Sequence, residues 1–183
     1  CEGYKSIFAE ARRQWPKCSM ALNWCYNEPW PCAANNSLLN YPARPKPAYH
    51  AVRAACRPVL ASARIPKFQW KAGEPFTAGL WLLNDSPEAQ PAGELVATLT
   101  VGDVSTELLR WRFPAAGPAQ HLAGPSVRMD IPVTDAGGAE VDAGEFTLSL
   151  AVVGRPELAS DYRLSLLASP AIIAARASRL LNN

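Results

Sequence analysis

The hydrophobic positions of this chain change period near residue 57. In the first fifteen residues Tyr4, Ile7, Phe8, Ala11 and Trp15 recur at i, i+3, i+4, i+7 and i+11, which predicts an amphipathic helix. Lys5, Glu10, Arg12 and Arg13 lie largely away from that apolar face. The helix is expected to stop near Trp15-Pro16, because proline disfavours helical geometry in the residue before it. Cys18 to Tyr26 is an almost uncharged run, the pattern of a strand buried on both faces. Asn27 to Pro47 carries five prolines and reads as a loop, and a short helix follows from Ala48 to Cys56. Pro47 suits that helix's first turn, with Ala48, Val52 and Ala55 on one face.

From residue 57 the period becomes two. Leu95, Ala97, Leu99 and Val101 alternate with Val96, Thr98 and Thr100. Phe146 to Val152 and Tyr162 to Leu166 alternate in the same way. Further strands are expected at Val59–Ile65, Phe76–Leu83, Glu107–Phe113 and Val127–Val133. Asp135 to Gly144 reads as a turn region, and Pro170 to Leu181 as a short helical tail. The fold class is therefore mainly β: an immunoglobulin-like β-sandwich over 57–183, preceded by a helix–strand–loop–helix segment over 1–56. That segment is a slice of an α/β protein, since one strand makes no sheet. No Cys…Trp…Cys signature marks an antibody-type domain.

Composition narrows the functional classes. Hydrophobic residues make up 49% and charged residues 19%, enough apolar side chain for a packed core. A net charge of +2 without a basic run gives no reason to invoke nucleic acid. No apolar stretch has the ~20 residues of a membrane-spanning helix, so no membrane partner is expected. The first residue is Cys1, and with a helix already under way the chain reads as a fragment of something longer. All five cysteines (Cys1, Cys18, Cys25, Cys32, Cys56) fall in the first 56 residues. Their gaps match neither a disulfide scaffold nor the short C-x2-C spacing of zinc sites. Buried or half-buried free thiols are expected, with no metal and no cofactor, which fits a cytoplasmic parent better than a periplasmic or secreted one. His50 and His121 lie far apart and lack ligand-like neighbours in sequence.

The run from Asn23 to Ser37 carries the candidate chemistry. Two indoles, a carboxylate and several amides at the end of a buried strand suit sugar recognition. An indole face stacks on the apolar face of a pyranose, while amides and carboxylates take its hydroxyls. The bland alternative is that Trp24 and Trp30 plug a core and Asn35 and Asn36 make turns. Trp70, Trp81 and Trp111 could line a second carbohydrate face, although core packing is the commoner fate of tryptophan. Asn35-Asn36-Ser37 and Asn84-Asp85-Ser86 match the glycosylation sequon.

Trp24, Asn27, Glu28, Trp30 and Pro31, followed by Arg44-Pro45-Lys46-Pro47-Ala48-Tyr49, resemble the end of the catalytic barrel in glycoside hydrolase family 2. In that family a Trp, two residues, Asn, Asp or Glu, one residue and Trp-Pro mark the last barrel strand. A Lys-Pro-Ala-Tyr helix then leads into a β-sandwich. Arg57-Pro58-Val59 and Trp81-Leu82-Leu83-Asn84-Asp85 resemble the start of that sandwich. The resemblance runs to about residue 85, and the mannosidase-like branch is nearest. It implies that 1–56 is the end of a (β/α)8 barrel and that the whole is the C-terminal part of a retaining β-glycosidase.

The resemblance also places the sites. It implies a β-glycoside substrate met by Trp24, Asn27, Glu28 and Trp30, with Trp24 flooring the subsite of the cleaved sugar. The two catalytic carboxylates, about 5–5.5 Å apart in a retaining enzyme, would lie upstream, so none is expected here. Asn27-Glu28-Pro29 copies a motif that carries the acid/base after barrel strand four in related enzymes. About 120 residues of alternating strands and helices should then follow, whereas a sandwich does. Glu28 is therefore assigned to a substrate hydroxyl or to bracing the loop. The Trp24–Cys25 peptide is expected cis in an intact barrel and relaxed to trans in a fragment. Partners implied are the carbohydrate and the upstream domains, with self-association through the exposed barrel remnant around Ile7, Phe8 and Leu22. The competing function is a non-catalytic carbohydrate-binding or structural β-sandwich module.

Overall fold

The computed structural model describes residues 1–134, 137–138, 141 and 143–167. The expected tail helix lies outside them. Helix α1 spans Glu2–Arg13, a two-residue hairpin pairs β1 (Leu39–Asn40) with β2 (Arg44–Pro45), and helix α2 spans Pro47–Ala55. Strands β3 (Val59–Arg64), β4 (Gln69–Lys71), β5 (Pro75–Asn84) and β6 (Gly93–Val101) follow. The last four are β7 (Val104–Phe113), β8 (Leu122–Asp130), β9 (Gly144–Val152) and β10 (Ser160–Leu167).

These strands form a sandwich of two sheets, one ordered β3-β5-β8 and the other β4-β10-β9-β6-β7. All neighbours are antiparallel except β4, which runs parallel to the end of β10. A first strand that joins both sheets by way of such a parallel edge is immunoglobulin-like topology. Strand β4 escaped the sequence reading because three residues cannot display alternation; only Trp70, buried between polar neighbours, marks it.

The period-two pattern works as expected. Phe76, Leu80 and Leu82 of β5 meet Leu95 and Leu99 of β6, Phe146, Leu148 and Leu150 of β9, and Leu164 of β10. Each such side chain contributes about 1.5–3 kcal/mol of transfer free energy when fully buried. Trp70 is in this core, and Trp111 lies half-buried beside Phe113, covering Gly124 where a Cβ would collide with its ring. Core packing therefore accounts for these two tryptophans, and neither belongs to an exposed aromatic face.

Helix α1 docks by more than its apolar stripe. Its buried residue is Ala9, which packs on Leu60, Leu83 and Trp81 on the outer face of the β3-β5-β8 sheet. The charged side chains dock with it. Arg12 donates to the carbonyls of Ala55 (2.6 Å) and Pro58 (3.1 Å) and pairs with Asp85 at 2.5 Å. Arg13 donates to Ser62 Oγ (2.6 Å) and the Ala63 carbonyl (2.9 Å) and lies over the Trp81 ring. The apolar stripe is divided: Ile7 is 61% exposed and Trp15 is exposed, with Met20 and Leu22 exposed beyond it, while Tyr4, Phe8 and Ala11 are half-buried. A helix face chosen by periodicity alone names the apolar side, but here guanidiniums also find carbonyl acceptors at the sheet edge, and hydrogen bonding shares in the docking.

Two further expectations change. Cys18–Tyr26 forms no strand, because a strand needs a neighbour and the described chain supplies none alongside it. Helix α2 buries Ala51 and Ala55 rather than Ala48 and Val52. Among the described residues no helix is long and apolar enough to cross a membrane.

The docking of α1 also shapes the pH response. His121 Nδ1 accepts the Asn84 N–H at 3.1 Å, so Nε2 carries the proton toward Asp85 Oδ1 at 3.2 Å. Burial holds this histidine below its ordinary value of 6.5, despite the opposing pull of Asp85. A depressed folded-state value means that protonation favours unfolding. Stability from this contact is expected to be complete above pH 6.5 and to fall as pH drops through the folded-state value. Urea unfolding at a series of pH values checks this, and His121→Gln, which keeps an acceptor and a donor, should flatten the slope.

Candidate sugar-binding site

The candidate site is built on the segment between the helices. After the turn that closes α1, where Lys17 and Cys18 N–H donate to the Gln14 carbonyl, backbone pairing in the segment resumes at Cys25. Leu38 N–H donates to the Cys25 and Tyr26 carbonyls, Leu39 N–H to Tyr26, and Glu28 N–H returns to Leu39. Asn27 and Leu39 thus form a single parallel bridge that leads into the β1–β2 hairpin. The Trp24–Cys25 peptide is cis, as are Trp15–Pro16 and Tyr41–Pro42. The relaxed trans form expected of a fragment is not seen.

Glu28 is the anchor of this segment, only 5% exposed. Its Oε1 accepts from Lys46 Nζ at 2.8 Å and Ser37 Oγ at 3.3 Å, and its Oε2 from the Tyr41 N–H at 3.2 Å. Lys46 also donates to Ser37 Oγ and to the Asn35 carbonyl, both at 2.9 Å. One ion pair therefore ties together residues 28, 35, 37 and 41 with the residue that opens α2. The hydrogen bond from Lys46 holds the Glu28 carboxyl below the ordinary glutamate value, outweighing the opposing effect of burial. Both oxygens are spent within the loop.

Around this anchor the aromatic side chains face outward. Trp24 is 84% and Trp30 65% exposed, and Tyr26 and Tyr41 are exposed as well. Asn27 is exposed, with its Nδ2 3.5 Å from the Glu28 carbonyl, while Asn23 Nδ2 donates to the Cys25 carbonyl at 2.9 Å. Of the four residues read as sugar contacts, the structure presents Trp24, Asn27 and Trp30 to solvent and buries Glu28. Tyr26 and Tyr41 were not singled out from sequence; their only signal is tyrosine in a polar loop beside tryptophans.

Each acid of the first 56 residues is already paired: Glu2 with Lys5, Glu10 with Arg13 and Arg64, and Glu28 with Lys46. Among the described residues no cluster of three histidine, cysteine or acidic side chains could hold a metal. The cysteines are unpaired thiols; Cys18, Cys25 and Cys32 are half-buried as expected, but Cys1 and Cys56 are exposed. The two sequons differ sharply. Asn35 is exposed, its Oδ1 accepting the Ser37 N–H, whereas Asn84 is wholly buried with its amide bonded on both sides.

The Glu28–Lys46 brace has a direct test. Lys46→Met removes three donors and leaves a buried carboxylate without its cation, so the loop is expected to loosen. Amide exchange at Glu28, Leu38 and Leu39 should accelerate about tenfold or more, while the sandwich strands keep their protection. In the parent sequence, stability from Glu28 is present above the ordinary value of 4.5 and lost as pH falls through its lowered value. Indole fluorescence should report this as a transition below pH 4.5 that Lys46→Met moves upward.

Fold and site together define an immunoglobulin-like β-sandwich carrying an aromatic-rimmed N-terminal segment. No family model matches the chain, and no curated protein is similar to it in sequence. Among solved structures, the CARDB domain of the PF1109 protein from Pyrococcus furiosus is 8% identical, with 61% of this chain and 94% of that one covered and a TM-score of 0.44. A β-glucosidase from Erythrobacter marinus is 10% identical over 60% of this chain and 16% of its own, with a TM-score of 0.42. A β-glucosidase from Listeria innocua is 8% identical over the same shares, at 0.41. Likeness this distant carries no argument about function, and this chain spans about a sixth of either glucosidase.

Proposed function

We propose that this chain is the C-terminal portion of a retaining β-glycosidase of the family 2 type. In this reading it contributes the aromatic wall of a sugar subsite and a supporting sandwich, and the catalytic carboxylates belong to preceding parts of the protein. The observation that carries the reading is the exposure of Trp24 and Trp30 on a loop whose Glu28 is locked to Lys46. Exposed indoles on a braced loop lose little conformational freedom when a pyranose stacks on them. Glu28 acts as the positioning residue, and Trp24, Asn27 and Trp30 touch the sugar. Because this reading puts both catalytic carboxylates in preceding parts of the protein, the chain alone is expected to be inactive.

The test is hydrolysis of aryl β-mannoside, galactoside, glucuronide and glucosaminide by this chain and by the longer protein that contains it. The longer protein should cleave one of them, and the chain none. Trp24→Ala or Trp30→Ala in the longer protein should lower kcat/KM about tenfold or more, equivalent to ~1.4 kcal/mol of transition-state stabilisation. Cleavage by the chain alone would overturn the assignment. The same exposed indoles favour a second reading, a non-catalytic carbohydrate-binding module. In that case the longer protein cleaves nothing, while the chain quenches its tryptophan fluorescence with oligosaccharide.

A further inference from the structure

Away from the aromatic loop, a cavity of about 530 Å³ lies where α1, α2 and the start of β10 converge. Its walls are basic. Lys5 comes from α1, His50 and Arg53 from one face of α2, and Arg57 from the turn after it, against one lining carboxylate among the described residues, Asp161. Ala9, Ala55 and Leu60 form an apolar floor.

Arg57 is half-buried and every group it bonds is neutral. Its Nε donates to the Ala54 carbonyl (3.0 Å), one terminal nitrogen to the Glu157 carbonyl (2.6 Å), and the other to the Ala159 carbonyl (2.7 Å) and Ser160 Oγ (3.0 Å). These bonds fix the guanidinium without neutralising it. Burial lowers its proton affinity below the ordinary arginine range, although Tyr162 and Asp161 pull the other way. Lys5 Nζ is held at the cavity by the Asp161 carbonyl at 2.8 Å and is ion-paired with Glu2 Oε1 at 3.0 Å, so its charge is already balanced and Arg53 and Arg57 carry the excess. Arg53 is exposed and has no hydrogen-bond or ion-pair partner among the described residues.

We propose that this cavity is a binding site for an oxyanion group, carboxylate, sulfate or phosphate, carried on a small molecule, with Arg53 as the mobile clamp and Arg57 as the fixed charge. A planar guanidinium free to swing can make a bidentate contact with two oxygens of such a group. A fixed cation already desolvated by the protein needs little further reorganisation to receive it. The volume exceeds that of a bare ion and admits a monosaccharide-sized ligand. This site is independent of the aromatic loop and of the glycosidase reading.

The test uses the whole chain. Arginine Nε–Hε resonances are followed by NMR during titration with sodium sulfate and with D-glucuronate, each against sodium chloride at constant ionic strength. Saturable shifts of Arg53 and Arg57 are expected with both anions, and none with chloride. Arg53→Gln, at an exposed position, should leave Tm unchanged without ligand and weaken binding about tenfold. Tighter binding of glucuronate identifies a carboxylate, as in a sugar acid, as the group recognised, and tighter binding of sulfate a tetrahedral sulfate or phosphate group. Equal shifts with chloride, no shift with either anion, or an unchanged affinity in Arg53→Gln would overturn the proposal.

Discussion

Replacing Phe76 with alanine is expected to lower the unfolding free energy by about 3–5 kcal/mol. Phe76 is fully buried on β5, in the smaller sheet, and its ring meets Trp70 of β4 at 5.0 Å and Phe146 of β9 at 5.9 Å, both in the larger one. The ring therefore joins the two sheets, and its removal opens a cavity lined by two rigid aromatics that cannot collapse into it. Both the transfer free energy and the cavity term are lost. Urea unfolding should show a lower midpoint with an unchanged slope, since the surface exposed on unfolding stays nearly the same. A loss below about 1 kcal/mol would mean that the sheets are held together elsewhere.

The second large effect is expected at Asn84, which ends β5. Its side-chain amide donates to the carbonyls of Glu88 (3.1 Å) and Gly117 (2.9 Å), and its Oδ1 accepts from Ser86 N–H (3.0 Å) and Oγ (2.6 Å). One wholly buried side chain thus satisfies four polar groups in two loops. Asn84→Ala leaves the buried Ser86 amide and the part-buried Gly117 carbonyl without these partners, at a cost of about 2–4 kcal/mol. Ser86→Ala removes one hydroxyl and should cost about 1 kcal/mol. If the two variants prove equal, the network does not centre on Asn84. Mass spectrometry should find Asn84 unmodified even where its sequon would be recognised, because the amide nitrogen is enclosed.

The candidate site was only partly legible in advance. Trp24, Asn27 and Trp30 stand out in the sequence as residues that suit a sugar, and the structure presents them to solvent. Glu28 stands out equally, yet its carboxylate faces inward to Lys46, eighteen positions along the chain. Nothing local distinguishes an acid aimed at solvent from one aimed at a distant lysine. The same reasoning applies to His121, whose partner Asp85 belongs to a different strand end, and to Arg57, three of whose four acceptors lie a hundred residues or more away. Long-range polar contacts leave no period in the sequence.

Local rules determined the longer strands of the sandwich, though not β4, together with the two helices and the proline-rich loop, because alternation, 3.6-residue spacing and proline stereochemistry act over a few residues. They also settled which faces of β5, β6, β9 and β10 meet, since a one-residue slip would expose every buried leucine. How α1 packs was decided only by tertiary structure. Its apolar stripe and its arginine stripe were both legible, and Arg12 and Arg13 share in the docking because carbonyls, Ser62 and Asp85 stood within reach at one sheet edge. The fate of Cys18–Tyr26 was decided the same way: a run that could be a strand becomes one only beside a partner, and partnership is a property of the fold.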